Sequence, residues 1–403
     1  MIVFLGSPKM VKTGAERLLT DENLLSLIKN RKWALICHQA SVDSNANHLF
    51  DLVCADDSLR PQRLLVPEHG LFGQQLYMEA VEDVFHERLQ VPVSSLYGNT
   101  FESLTPKAHH LDGLDLLVFD LQDVGARYYT YLATMTMAME ACSKAKIQFV
   151  VLDRPNPIGG ALIEGNIPLP TLKSFVSYLP VPNRHGMTAG EIAKFVRDQQ
   201  KMDLELTVIP CKGWDRRKLW PETGLPFVPP SPNIPTWETA LVYPGMCLLE
   251  GTNISEGRGT TMPFFLFGAP WITNPTRLVE ELNSQNLAGV RFRETAFTPS
   301  HDKGANSSCK GAQLIVTDSE QFRPLVTGLV IIATIFANYP DDFALRTDTY
   351  EFVDDVPALD LLLGDSSLRE ALLNGVPGVE IARRMRDGRR DFIAIRERYL
   401  LYR

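Results

Sequence analysis

Positive charge is in short supply in this 403-residue chain: 40 lysines and arginines face 48 aspartates and glutamates, a formal charge of −8. That excludes a broad basic surface for nucleic acid or anionic membrane, although a local basic pocket stays open. No apolar run reaches the roughly 18 residues that span a bilayer. Met1–Leu5 is too short for the core of a secretory leader, about 7–15 apolar residues, and it has no basic flank. The sequence therefore reads as cytoplasmic, with a longer, exported precursor left open. Cysteines number six and form no CxxC pair, which argues against zinc-ribbon or thioredoxin-like chemistry. Most lie in apolar runs and read as buried thiols; Cys309, in a Ser/Asn/Lys-rich stretch, is expected to be the exposed one. Neither GxGxxG after the first strand nor GxxxxGK[ST], GxSxG or HExxH occurs, and His109-His110 have the wrong spacing for helical metal ligation. No dinucleotide, P-loop or metal site is expected. Internal repeats and low-complexity tracts are missing too.

What is present is ordinary globular composition, 45% hydrophobic and 22% charged, at a length that favours two domains. Strand-like and helix-like segments alternate over the first 240 residues, which predicts βαβ crossovers and a parallel, Rossmann-like α/β sheet. Strands are expected at Trp33–Cys37, Leu64–Val66, Leu114–Phe119, Phe149–Leu152 and Leu204–Ile209. Helices are expected at Ala15–Leu27, near Asn45–Cys54, at Thr130–Lys144, and from the capping box Thr188-Ala189-Gly190-Glu191 to Gln199. Phe72–Val91 reads as an irregular acidic flap. Six prolines between Pro221 and Pro235 preclude regular structure there and lead to a smaller α+β domain, expected to hold helices at Thr276–Asn283, Ser319–Ala337, Leu368–Leu373 and Val379–Leu400 beside strands at Val290–Thr298 and Ala312–Thr317. The expected domains are 1–242 and 243–403.

Each of the five early strands ends in a polar motif. Ligands of open parallel sheets bind beyond the strands' carboxyl ends, so these motifs predict one shared crevice. Pro67-Glu68-His69-Gly70 projects Glu68 from a rigid turn as a general acid or base, with His69 beside it; the plainer reading is a loop carboxylate capping a turn. Asp120–Tyr129 is the densest cluster. Gln122, Asp123, Arg127 and Tyr129 are its ligand-contact candidates, whereas Asp120 suits a buried structural ion pair. Asn156 is held between two prolines and can both donate and accept. Glu164 offers a second carboxylate for glycoside chemistry, or else an exposed turn residue. Arg184 and His185 precede a helix N-terminus that can hold an anion. Glu250, Asn253 and Arg258 mark a polar, Gly-rich stretch expected to fold over the strand ends and close one side of the cleft.

Pro67–Gly70, Asp120–Tyr131, Leu152–Pro157, Glu164-Gly165, Pro232–Thr236 and Tyr243–Thr260 together resemble the signatures of the DUF1343 family of exo-β-N-acetylmuramidases, over nearly the whole chain. The resemblance implies a Rossmann-like N-terminal domain, a smaller C-terminal domain and a catalytic cleft at their junction. It implies release of terminal N-acetylmuramic acid from the non-reducing end of peptidoglycan-derived glycans, without a cofactor. Glu68 is then the catalytic candidate, Glu164 the chosen second acid and Tyr129 a further member. The lactyl carboxylate of the sugar needs a cation, for which Arg127, Arg154, Arg184 and Arg258 are candidates. Nucleic acid and membrane are not expected partners, and nothing in the sequence sets an oligomeric state. The alternative from another class is a non-catalytic muropeptide- or sugar-binding protein.

Overall fold

The computed structural model describes residues 10–76, 78–79 and 83–403; Met1–Leu5 and parts of the expected flap lie outside them. Its larger sheet has seven strands: β1 (Trp33–Cys37), β2 (Arg63–Val66), β3 (Val84–His86), β4 (Val91–Ser95), β5 (Leu116–Asp120), β6 (Gln148–Leu152) and β7 (Leu206–Ile209), in the order β3-β4-β2-β1-β5-β6-β7. All neighbours pair in parallel except β3 against β4. With β3 set aside, the six parallel strands run 3-2-1-4-5-6, the doubly wound Rossmann order, whose direction reverses between β1 and β5. β1, β5 and β6 are buried at every position, because helices cover both faces. Their uninterrupted apolar runs made them legible.

Local chemistry moves several expected boundaries. Asp21 leaves helical geometry and caps a second short helix, so the expected helix Ala15–Leu27 becomes Gly14–Thr20 and Glu22–Leu25. The Thr188 capping box forms as expected and opens the helix Ala189–Gln199. The long C-terminal helix divides into Gly378–Asp387 and Arg390–Arg396. The flap region is not wholly irregular, since β3 lies within it.

A three-stranded antiparallel sheet, β8-β10-β9, forms from β8 (Leu266–Ala269), β9 (Val290–Phe297) and β10 (Cys309–Val316). A helix at Trp237–Met246, carrying Pro244, runs through the position expected to divide the domains. It packs on the helix Pro324–Asn338 so closely that a Cβ on Gly245 would lie 1.8 Å from the Pro324 carbonyl oxygen. Cys309 begins β10 and is fully buried beside Leu266 and Phe297. The polar residues before it had suggested exposure, but the alternation of the strand turns its thiol inward.

The chain finally returns to the larger sheet. Arg396 donates to the carbonyls of Gly160 and Gly186. Tyr402 donates its phenol hydrogen to Asp153 and accepts from Cys211 N at 2.8 Å.

Candidate active site

β2 ends at Val66, and the next four residues make a tight turn closed by Gly70 N donating to the Pro67 carbonyl at 3.1 Å. His69 takes φ 73 and Gly70 φ 74. Left-handed backbone comes free to glycine but costs a residue with a Cβ about 1–2 kcal/mol. This turn directs the Glu68 side chain inward, leaving the residue 6% exposed. Its two oxygens accept from Met78 N and from Thr130 Oγ1, each at 3.1 Å. His69 Nδ1 meets the Gln75 carbonyl at 2.8 Å and so braces the returning chain.

Glu68 lines a cleft that is open to solvent. One wall comes from the chain after β5: Tyr128, Tyr129 and Tyr131, with the rings of Tyr129 and Tyr131 4.7 Å apart. A second wall is the proline-rich strap at Ser231–Ile234. The strap is fastened across the sheet's switch point. His38, at the end of β1, accepts from Gln122 N through Nε2 at 2.9 Å, so its Nδ1 carries the hydrogen that meets the Pro230 carbonyl at 3.3 Å. Burial pushes His38 well below the usual imidazole range, in keeping with a neutral ring. Tyr131 donates to the same carbonyl at 2.7 Å. The strap is thus tied to the chain at the ends of β1 and β5, and the cleft beside it is lined by the turn after β2 and the chain after β5.

The far wall belongs to the C-terminal part of the chain and supplies Glu250, Arg258, Tyr350 and Glu351. Arg258 donates to Glu250 at 2.7 Å and stands 3.7 Å from Glu256. Tyr350 donates to the other oxygen of Glu250 at 2.8 Å. Burial raises Glu250 above the usual carboxylate range, with Arg258 opposing. Burial also disfavours the charge on Glu256, but Lys303, 2.6 Å away, and Arg258 outweigh it and hold that carboxyl low. Glu351 sits on a turn of its own. Tyr350 and Val353 exchange both backbone hydrogen bonds, at 2.9 and 3.0 Å, and the two residues between them, Glu351 and Phe352, have φ 46 and φ 68. This is the hairpin geometry that favours Asn-Gly, built here from Glu-Phe. Burial pushes Glu351 well above the ordinary carboxylate range, and the charges of Glu68 and Glu250 add to the effect.

Of the residues singled out from sequence, Glu68, His69, Tyr129, Glu250 and Arg258 meet in this cleft. The others do not, so the expectation of one crevice for all five strand ends is corrected. Arg127 is buried, donating to the carbonyls of Asn166, Val181 and Leu362. Arg154 holds Asp120 in a buried bidentate pair, at 2.6 and 2.8 Å. Gln122 donates to the carbonyls of Asp123 and Pro155 and lines a smaller hollow beside Arg154. Asp123 accepts from Gly125 N at 2.7 Å and stands 3.3 Å from His185. Asn156 bonds to Met187 O and Ile158 N. Glu164 and Arg184 form a buried pair at 3.3 Å, and Glu164 opens on a different hollow, beside Arg323, Arg386 and Arg389. Burial pushes Glu164 up and Arg184 down. Asn253 points away from the cleft and grips the chain at Asp342 and Ala344. One physical reason covers these displacements. Bringing a second layer of chain over the strand ends buries many carbonyls and amides, and buried polar groups must find partners. Most of the strand-end polar residues satisfy that need.

Sequence reading missed Tyr350 and Glu351. Asn233 and Tyr243 also line the cleft, and they fall within two of the motifs that carried the family resemblance.

The family described as "Exo-beta-N-acetylmuramidase NamZ, N-terminal" matches residues 33–238, and its C-terminal counterpart matches residues 241–402. A curated relative from Bacillus subtilis (strain 168), named peptidoglycan beta-N-acetylmuramidase NamZ, is 42% identical over 392 residues, covering 97% of this chain and 91% of that protein. Two crystal structures of DUF1343 family proteins from Bacteroides fragilis NCTC 9343 are similar throughout. One has a TM-score of 0.87 at 31% identity and the other 0.73 at 27%; each match covers 98% of this chain and 99% of that one. The chain belongs to the exo-β-N-acetylmuramidase NamZ family.

Proposed function

We propose that this protein is a glycoside hydrolase releasing terminal N-acetylmuramic acid from the non-reducing end of peptidoglycan-derived glycans. One observation carries the reading: a buried strand-end carboxylate, Glu68, faces a cleft that a second part of the chain closes with more carboxylates and an arginine. Glycosidases work through a carboxyl pair flanking the scissile bond, and the aromatic walls suit the apolar faces of a sugar ring. Glu68 is the catalytic carboxylate of this reading. The lactyl carboxylate of the terminal sugar pairs with Arg258, which lines the cleft beside Glu68 while also bound to Glu250, whereas Arg127, Arg154 and Arg184 lie outside that lining. The strap and the Glu250–Arg258 stretch close the cleft on two sides, which suits a chain terminus and hence exo action.

The test is incubation with the disaccharide MurNAc-GlcNAc, with free N-acetylmuramic acid as the expected product. Binding of the disaccharide without cleavage would make the protein a sugar-binding module instead. Arg258→Ala should weaken substrates bearing the lactyl group by roughly 10–150-fold, the worth of a charge-assisted hydrogen bond of about 1.5–3 kcal/mol, and should hardly affect an N-acetylglucosamine analogue. Equal losses on both would assign Arg258 to its pair with Glu250 alone.

A further inference from the structure

Glu351 has every mark of a residue placed for chemistry, and neither a strand-end motif nor the expected carboxylates pointed to it. The residue is 4% exposed and lines the cleft with Glu68. It comes from the C-terminal part of the chain, whereas Glu68 comes from the end of β2, and the two carboxyl groups lie close enough for the charge of Glu68 to act on Glu351. Its backbone has φ 46 and that of the next residue φ 68, although neither is glycine, asparagine or aspartate. Strained backbone persists where surrounding structure over-determines it, and it gathers at active sites. Here the restraint is visible. The ring of Phe352 packs against Tyr97, Phe101 and Phe175, with centroids 5.7, 6.4 and 6.4 Å apart. Arg346 N donates to the Gly251 carbonyl, and Asn253 clamps Asp342 and Ala344, so the chain entering the turn is also held. Tyr97 donates to Glu351 Oε2 at 3.2 Å, which fixes the rotamer of the carboxyl.

We propose that Glu351 is the second catalytic carboxylate and delivers the proton to the leaving glycosidic oxygen. The proposal rests on the glycosidase reading above. The environments of the two carboxyl groups divide their roles. Glu68 accepts from two donors, whereas Glu351 faces the negative charges of Glu68 and Glu250, with Arg258 and the phenols of Tyr97 and Tyr350 as its other polar neighbours. Burial and those two charges keep its proton on. Glu351 thus holds the proton that the reaction needs. As the C1–O bond breaks, its electron pair stays on the leaving oxygen, which takes that proton. The Glu68 carboxylate supports the positive charge developing at C1. Water then supplies the oxygen that bonds to C1 and gives one proton back to the pair, which ends as it began.

The test compares the wild type with Glu351→Gln on two substrates, MurNAc-GlcNAc and 4-nitrophenyl β-N-acetylmuramide. A sugar alkoxide leaves only when protonated, whereas nitrophenolate leaves without help. Glu351→Gln should lose roughly 10²–10⁴-fold in turnover on the disaccharide, the usual share of acid catalysis, and less than about tenfold on the aryl glycoside. Its activity on the aryl substrate should also lose the fall seen in the wild type at high pH. Equal losses on both substrates, or no loss on either, would overturn the assignment. If Glu351→Gln does not fold, Tyr97→Phe serves instead. Removing that donor should move the high-pH limb of the wild-type profile upward, and an unmoved limb would overturn the assignment. A wild type inactive on both substrates would instead defeat the glycosidase reading itself.

Discussion

Two turns line the cleft, Pro67–Gly70 at the end of β2 and Tyr350–Val353 in the C-terminal part of the chain. Both present a buried glutamate, and both hold a residue with a Cβ in left-handed backbone, His69 in one and Glu351 with Phe352 in the other. They differ in how the conformation is secured. The first turn is written locally: proline enters it, glycine leaves it, and an apolar strand precedes it. The second contains no residue suited to its shape and is held from outside, by three aromatic rings around Phe352 and by the grip of Asn253 on the incoming chain. A functional turn can therefore be stabilised by its own residues or by its surroundings, and the first kind alone leaves a signature in sequence.

The comparison breaks most sharply at Glu68. Glu68→Gln should lower turnover by roughly 10²–10⁴-fold, on the disaccharide and the aryl glycoside alike. That pattern separates it from Glu351→Gln, whose loss should depend on the leaving group. A Glu68→Gln enzyme with near-normal rates would remove the residue from the mechanism. Next in size is Glu164→Gln, at a carboxylate outside the cleft. Losing one partner of a buried ion pair costs about 3–5 kcal/mol. Glutamine still offers Arg184 an oxygen, so the fall in unfolding free energy should lie near the lower figure, with turnover within about threefold of normal. Urea titration and a rate assay on the same variant check both halves, and a large loss of turnover with intact stability would restore Glu164 to the chemistry.

The smallest effect sharpens the contrast in strain. Asparagine is at home in this hairpin geometry, so Glu351→Asn should stabilise the protein by about 1 kcal/mol while lowering disaccharide turnover by roughly 10²–10⁴-fold, as Glu351→Gln does. The gain should also depend on pH. Because Glu351 holds its proton in the folded state above its ordinary range, its contribution to stability is fully present below the unfolded value of about 4.3. That contribution is lost as pH rises through the folded value. The advantage of the variant is thus smallest in acid and grows with pH. A variant less stable than the wild type at neutral pH would mean that the turn carries no strain.

The same distinction explains what sequence reading recovered. β1, β5 and β6 announced themselves as apolar runs because both of their faces are buried, and the Thr188 capping box marked its helix because its bonds are local. The helix Trp237–Met246 did not, since Pro244 and Gly245 are ordinarily breakers. It survives because Gly245 permits contact with Pro324 and because Tyr128 donates to the Pro244 carbonyl, both distant in sequence. At the site, Glu68 was legible from its turn. Arg127, Asn156 and Glu164 looked equally functional, because a polar residue at a strand end has the same signature whether it meets a ligand or a buried carbonyl. Which it meets depends on chain more than a hundred residues away, as with Arg127 and Leu362.

The return of the C-terminal segment to the larger sheet bears on how this protein comes apart. Arg396 and Tyr402 spend buried hydrogen bonds on Gly160, Gly186, Asp153 and Cys211. The β8-β10-β9 sheet and its helices are consequently tethered to the Rossmann part at both ends of their own stretch of chain. Neither part can melt without stripping partners from the other's interior. The two parts should therefore unfold in a single transition, and the cleft they line should be lost in that same step.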